Sequence, residues 1–237
     1  GLLGTNESLN GWMDEGFASY ADDRVLAFLN NDTGFASGGA YRSYFSLVKS
    51  GKEEPLTTHA DHYNLNAAYS PAVYSKGEVF MEQLGYIVGA PVRDNILLEY
   101  YKQWRFKHPN TTDFIRIAEK VSDMKLDWYK EYWINSTKTI DYSIDSLWEE
   151  NGMTNVRIKR NGLMPMPIDV QLTFKDGSKE MHYVPLDLMY GLKPIEDKTV
   201  ARKVYEPWHW TSETYIISTQ KKLLDFTAVE IDPSQRM

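Results

Sequence analysis

Up to about Leu147, apolar residues recur every third or fourth position, the spacing of helices that bury one face. In GWMDEGFASYADD and the residues after it, Phe17, Ala21, Val25 and Phe28-Leu29 fall on one expected face of a helix that begins near Glu15. YSKGEVFMEQLGYIVG groups Val79-Phe80, Gln83-Leu84 and Ile87 and stops at Gly89, a suitable C-cap. PVRDNILLEYYKQWRF opens on Pro91, which suits a first turn, and offers Ile96-Leu97, Tyr100 and Trp104 for burial. NTTDFIRIAEKVS follows with Thr111 or Thr112 as the expected N-cap, and KLDWYKEYWIN adds a short helix through Leu126, Tyr129 and Trp133. From Asn30 to about Ala72 no period is clear. GFASGG and SGKEEPL lie there, so at least part of the stretch reads as loop.

After roughly Trp148 the period becomes two. TNVRIKRNG alternates Val156 and Ile158 before a turn at Asn161-Gly162, and IDVQLTF alternates Ile168, Val170, Leu172 and Phe174 before KDGSK closes a hairpin. EMHYVPLDL, TYIISTQ and FTAVEID supply further short strands. The expected fold is therefore multidomain α + β, with a helical region over 1–148 and a β-sandwich of immunoglobulin or fibronectin type over 149–237. TIDYSIDSLWEENG is the expected boundary.

Composition narrows the partners. The net charge of −7 and the lack of a basic stripe argue against nucleic acid, since nothing would neutralise phosphates. No stretch approaches the apolar length of a membrane span, and GLLGTNES lacks the basic start and long apolar run of a signal peptide. With no cysteine, disulfides and thiolate zinc sites are excluded. Four N-x-S/T triplets, at Asn6, Asn31, Asn110 and Asn135, would matter only in a eukaryotic secretory pathway. Aromatic residues make up 14% of the chain, enough to fill a large core or to line a cleft.

Two residues hold the candidate chemistry. Glu15 stands where an acid would complement the positive end of a helix dipole, a role worth about 0.3–1 kcal/mol. Tyr74 sits before Lys76-Gly77 at the expected mouth of a second helix, where a packed aromatic is the commoner explanation. Taken together, the order Trp12-x-x-Glu15-Gly16-Phe17, then Tyr74-x-Lys76-Gly77, resembles the M1 family of zinc aminopeptidases, within the gluzincins. NTTDFIRIAEKVSDMKLDWYKEYW and MPIDVQLTFKDG are similar to later segments of that family, so the resemblance reaches across most of the chain.

The resemblance implies a helical C-terminal part of a gluzincin catalytic domain followed by the β-sandwich. It implies Glu15 as the third ligand of one zinc ion, Tyr74 as the donor that stabilises the oxyanion, and a peptide as substrate. Asp14 and Trp12 are expected to orient the ligand helix, although a solvated Asp and a buried Trp explain them nearly as well. Tyr69 could line the cleft or the core. The family's HExxH and G-x-M-E-N motifs are absent, so the two zinc histidines, the general base and the amine-binding Glu are not in these residues. The resemblance puts the HExxH helix ahead of Gly1 and makes this chain inactive on its own. His59 and His62 are spaced by three where two ligands on one helical face need four, and His108, His182 and His209 read as isolated surface residues. Relatives with this arrangement favour a secreted or cell-envelope address. A non-catalytic peptide- or partner-binding module on a peptidase fold is the alternative, and a carbohydrate-binding protein is a third reading from the aromatic content and the sandwich.

Overall fold

Asn6 starts the first helix, its side-chain oxygen accepting from the backbone N–H groups of Ser8 and Leu9. In the computed structural model, which describes residues 2–237, the chain divides into two units, the first ending at Thr137 and the second beginning at Lys138. The first helix, α1 (7–29), passes through Glu7–Gly11, kinks at Asn10, makes a π turn over Trp12–Gly16 and continues as Phe17–Leu29. Gly38–Ser50 forms α2. Helix α3 (66–88) consists of Asn66–Ser70, a π turn over Pro71–Lys76, and Gly77–Val88. Pro71 has no N–H to offer the helical ladder, which gives this π turn a local cause. Ala90–Trp104 (α4), Thr111–Ser122 (α5) and Asp127–Trp133 (α6) complete the unit.

Several expectations change. Both Glu15 and Tyr74 lie inside helices rather than at their mouths, so the dipole explanation for Glu15 is lost. The inward residues of α1 are Trp12, Gly16 and Tyr20, while Phe28 is 80% exposed and Leu29 66% exposed. Beyond Tyr20 this helix buries no residue, so the apolar positions at 25, 28 and 29 are exposed. Gly77–Val88 is buried along its whole length rather than on one face. The weakly patterned stretch contains α2, whose start is marked by fully buried Ser37. Asn110, not a threonine, caps α5 in a reciprocal box with Asp113. Gly89 (φ 90°) ends α3 as expected.

The centre of the first unit is the crossing of α1 and α3. A Cβ placed on Gly16 would lie 2.6 Å from Gly77 Cα, and one placed on Gly77 would lie 2.9 Å from both Gly16 Cα and Trp12 O. The two backbones therefore touch, which only glycine on each side permits. Aromatic rings close around the contact: Trp12 packs edge-on to Phe17 and Phe80, Phe17 to Phe114, and Phe80 stacks on Tyr129 at 4.8 Å.

The second unit has seven strands: Tyr142–Glu150 (β1), Met153–Arg160 (β2), Ile168–Phe174 (β3), Lys179–Val184 (β4), Ala201–Val204 (β5), Thr214–Thr219 (β6) and Phe226–Ile231 (β7). They form two sheets, β1-β2-β6 and β5-β4-β3-β7, with every pairing antiparallel except β4 with β5. Val156, Ile158 and Ile217 of one sheet, and Ile168, Val170 and Leu172 of the other, are fully buried. The expected boundary segment is itself mostly β1, so a division after Trp148 falls within a strand. The polar alternates Asp169 and Gln171 are also buried, because Asp169 pairs with buried Lys193 and Gln171 bonds Glu230.

Replacing Gly16 or Gly77 with Ala should lower the stability of the helical unit by about 1–3 kcal/mol, the usual cost of overpacking. Gly38→Ala, at a helix start where the added methyl meets nothing closer than 3.6 Å, should not. Denaturant midpoints of the three variants check this, and equal midpoints would contradict the backbone contact.

Candidate active site

Glu15 lies one residue before the glycine contact on α1, and Tyr74 lies three residues before it on α3. The crossing thus carries both π turns to one place. Such turns widen the helix locally and are frequent at functional sites. Tyr74 is 38% exposed. The Glu15 carboxylate first, and then burial, push its phenol up to about 12. Tyr74 is consequently a neutral hydrogen-bond donor at any physiological pH.

The residues after Tyr74 anchor it from behind. Ser75 Oγ donates to Ser43 Oγ of α2 at 2.9 Å. Lys76 is 1% exposed, with Nζ 2.7 Å from Glu53 Oε1 and 3.2 Å from Ser136 O. Burial lowers the Lys76 pKa, and the charge of Glu53 opposes that shift. A lysine so buried is tolerable only because it is paired and hydrogen-bonded. The Y-x-K-G motif contained Lys76, but nothing in SGKEEPL singled out Glu53 as its partner. This is an interaction between segments remote in sequence, with no local period to betray it.

The surface around Glu15 is acidic. Asp14 is half-buried and its pKa is raised, first by burial and then by the charges of Glu15 and Glu7. Tyr69 is raised too, by burial and then by Glu15, Glu7, Asp14 and Asp61, so it faces the same cluster. Its ring meets Tyr63 edge-on at 5.3 Å. Among the described residues no ion pair to Lys or Arg involves Glu7, Asp14 or Glu15. Trp12 is fully buried between Phe17 and Phe80 and belongs to the core.

The histidines make other contacts. His59 Nδ1 accepts from the N–H of Asp61, and its ring lies 4.8 Å from that of His62. His108 bonds the Gly4 carbonyl and His209 pairs with Asp187. His182 is a correction: it is buried within the second unit, bonded to Tyr205 and Glu180, not on the surface. Among the described residues, no three His, Asp or Glu side chains converge as a complete metal site. A cation at Glu15 nevertheless fits the chemistry, because among the described residues these carboxylates have no Lys or Arg partner. No helix among the described residues is long and apolar enough to cross a membrane.

Residues 5–133 match the model of the peptidase family M1 domain. A leukotriene A-4 hydrolase homologue of Botryotinia fuckeliana (strain B05.10) is 24% identical over 116 residues, which is 44% of this chain and 17% of that protein. In the crystal structure of Legionella pneumophila aminopeptidase A in complex with aspartic acid, a region superposes with a TM-score of 0.56 at 12% identity, covering 92% of this chain and 23% of that one. The chain thus spans a minor part of the length of either protein.

If Glu15 holds the Tyr74 phenol high, Glu15→Gln should bring its titration down toward the ordinary value of 10. A pH titration of ring-labelled tyrosines followed by NMR would show one resonance moving. An unchanged set of tyrosine titrations would remove the contact.

Proposed function

Because this chain belongs to peptidase family M1, we propose that it is the C-terminal portion of a zinc-dependent aminopeptidase acting on N-terminal peptide bonds. The observation that carries this reading is the backbone contact of Gly16 with Gly77, with Glu15 and Tyr74 on the two π turns beside it. Glu15 would contribute one carboxylate to the zinc ion, with the remaining ligands and the general base coming from outside these 237 residues. Bound zinc supplies a Lewis acid that lowers the pKa of water and polarises a carbonyl.

The chain's own residues do the rest. The uncompensated charge of Glu15, Asp14 and Glu7 favours a cation at this place. Tyr74, protonated and held at the site by Lys76 and Ser75 behind it, donates to the carbonyl oxygen of a peptide as that oxygen gains negative charge. A donor in that position is worth about 2.7–4 kcal/mol of barrier. Tyr69, on the same side, lines the approach. Lacking two histidines and the base, the 237-residue chain alone has no peptidase activity.

The protein extended upstream should bind about one zinc per chain by metal analysis, as a catalytic site with three protein ligands does. Glu15→Ala should release that zinc. Tyr74→Phe should keep it and lower kcat about 10²–10³-fold. An extended protein that binds peptides but no zinc would instead make the cleft a binding surface, and zinc-dependent cleavage by the 237-residue chain would refute its predicted inactivity.

A further inference from the structure

Past the glycine contact, α1 and α3 are joined a second time, by one side chain from α4. Arg93 stands on the first turn of α4 and is 3% exposed. Its Nη1 donates to Glu82 Oε2 of α3 at 3.2 Å, and its guanidinium carbon lies 5.2 Å from the centre of the Tyr20 ring of α1. Nε and Nη2 both donate to Asp94 Oδ1 at 3.1 Å. Asp94 also accepts from Nη1 and Nη2 of Arg24, on α1, at 3.3 Å, and Arg24 Nη1 donates to the Tyr20 hydroxyl at 2.7 Å. Arg93 therefore reaches α1 twice, directly over Tyr20 and through Asp94 and Arg24.

Helix α3 leaves room for it. A Cβ placed on Gly85 would lie 2.6 Å from Arg93 Nη1 and 3.2 Å from Cδ and Cζ, so the guanidinium rests against the α3 backbone. Glu82, about one turn before Gly85, is 7% exposed and accepts from Ser37 Oγ at 3.4 Å on its other oxygen. A guanidinium suits this place because it is flat, donates in fixed directions and packs over a ring. A lysine ammonium is a point charge without that fork.

Two rods that touch at one point can turn about it, and a directed bridge away from that point removes the freedom. Gly16 against Gly77 is the point of touch, and the apolar packing around it is non-directional. Tyr20 lies about one turn after Gly16, and Glu82 and Gly85 lie about one and two turns after Gly77. We propose that Arg93 is a positioning residue that sets the angle between α1 and α3, and through it the separation of Glu15 from Tyr74. The effect on a reaction rests on the peptidase reading above; the bridge itself does not.

Amide hydrogen exchange of the 237-residue chain reads the bridge alone. In Arg93→Lys, exchange over 17–24 and 80–88 should quicken about tenfold, the scale of losing a hydrogen bond to a charged group, while α5 and β3 keep their protection. Gly85→Ala leaves Arg93 in the chain but adds a methyl where Nη1 stands, and should act in the same direction although alanine is the better helix former. It decides the matter if Arg93→Lys does not fold. Glu99→Gln, which breaks the exposed Glu99–Lys102 pair of α4, should change nothing. Exchange equal to wild type, or an equal rise in α5, would overturn the bridge. In the protein extended upstream, both bridge variants should keep their zinc and their KM while kcat falls about 10²-fold, the scale of a misplacement of about 1 Å. A merely structural Arg93 would lower the denaturation midpoint and leave the kcat of the folded variants intact, which would overturn the positioning role. An extended wild type that neither holds zinc nor cleaves peptides would remove the peptidase reading instead, and the exchange result would then decide the bridge.

Discussion

Backbone touches backbone where Gly16 meets Gly77, and the rest of the helical unit is arranged around that contact. A side chain on either residue would hold the helices apart. With none, α1 and α3 approach until main-chain atoms meet, and the aromatic rings of Trp12, Phe17, Phe80, Phe114 and Tyr129 fill the angles between them. One π turn ends at Gly16 and the other just before Gly77, so both lie beside this contact. Glu15 and Tyr74 are brought together by backbone geometry rather than by a flexible loop, which is how a site is held within the tolerance that chemistry needs.

Electrostatics then divide the crossing into distinct regions. Around Glu15, among the described residues, no Lys or Arg pairs with Glu7, Asp14 or Glu15, and the charge of Glu15 keeps the Tyr74 phenol neutral. Behind Tyr74 the buried Lys76–Glu53 pair, 2.7 Å apart, fixes the turn from the inside. At the start of α4, Arg93 pairs with Glu82 of α3 and with Asp94, and Arg24 of α1 also pairs with Asp94.

What could be read from the sequence followed local rules. The motifs that hold Glu15 and Tyr74 stand out because each is contiguous, and α4, α5 and α6 were legible because their apolar spacing keeps one phase. Tertiary cover was not legible: Val25, Phe28 and Leu29 are exposed because α1 buries nothing beyond Tyr20, and both candidate residues lie on π turns within helices rather than at helix starts. Helix α2 was hidden by its Gly38-Gly39 start and by polar positions that tertiary packing, not propensity, makes helical. Strand β1 looked like a linker because it has no fully buried residue and no clean alternation. His182 and Lys76–Glu53 were illegible for a shared reason: their burial is settled by partners distant in sequence.

The most direct test of the account is a crystal structure of the protein extended upstream, bound to zinc and a tetrahedral peptide mimic. The account predicts the Glu15 carboxylate on the metal, the Tyr74 hydroxyl within hydrogen-bond distance of the mimic's oxygen, and Gly16 against Gly77 beneath them. A structure in which Glu15 turns away from the metal, or Tyr74 from the mimic, with the helix crossing intact, would contradict it.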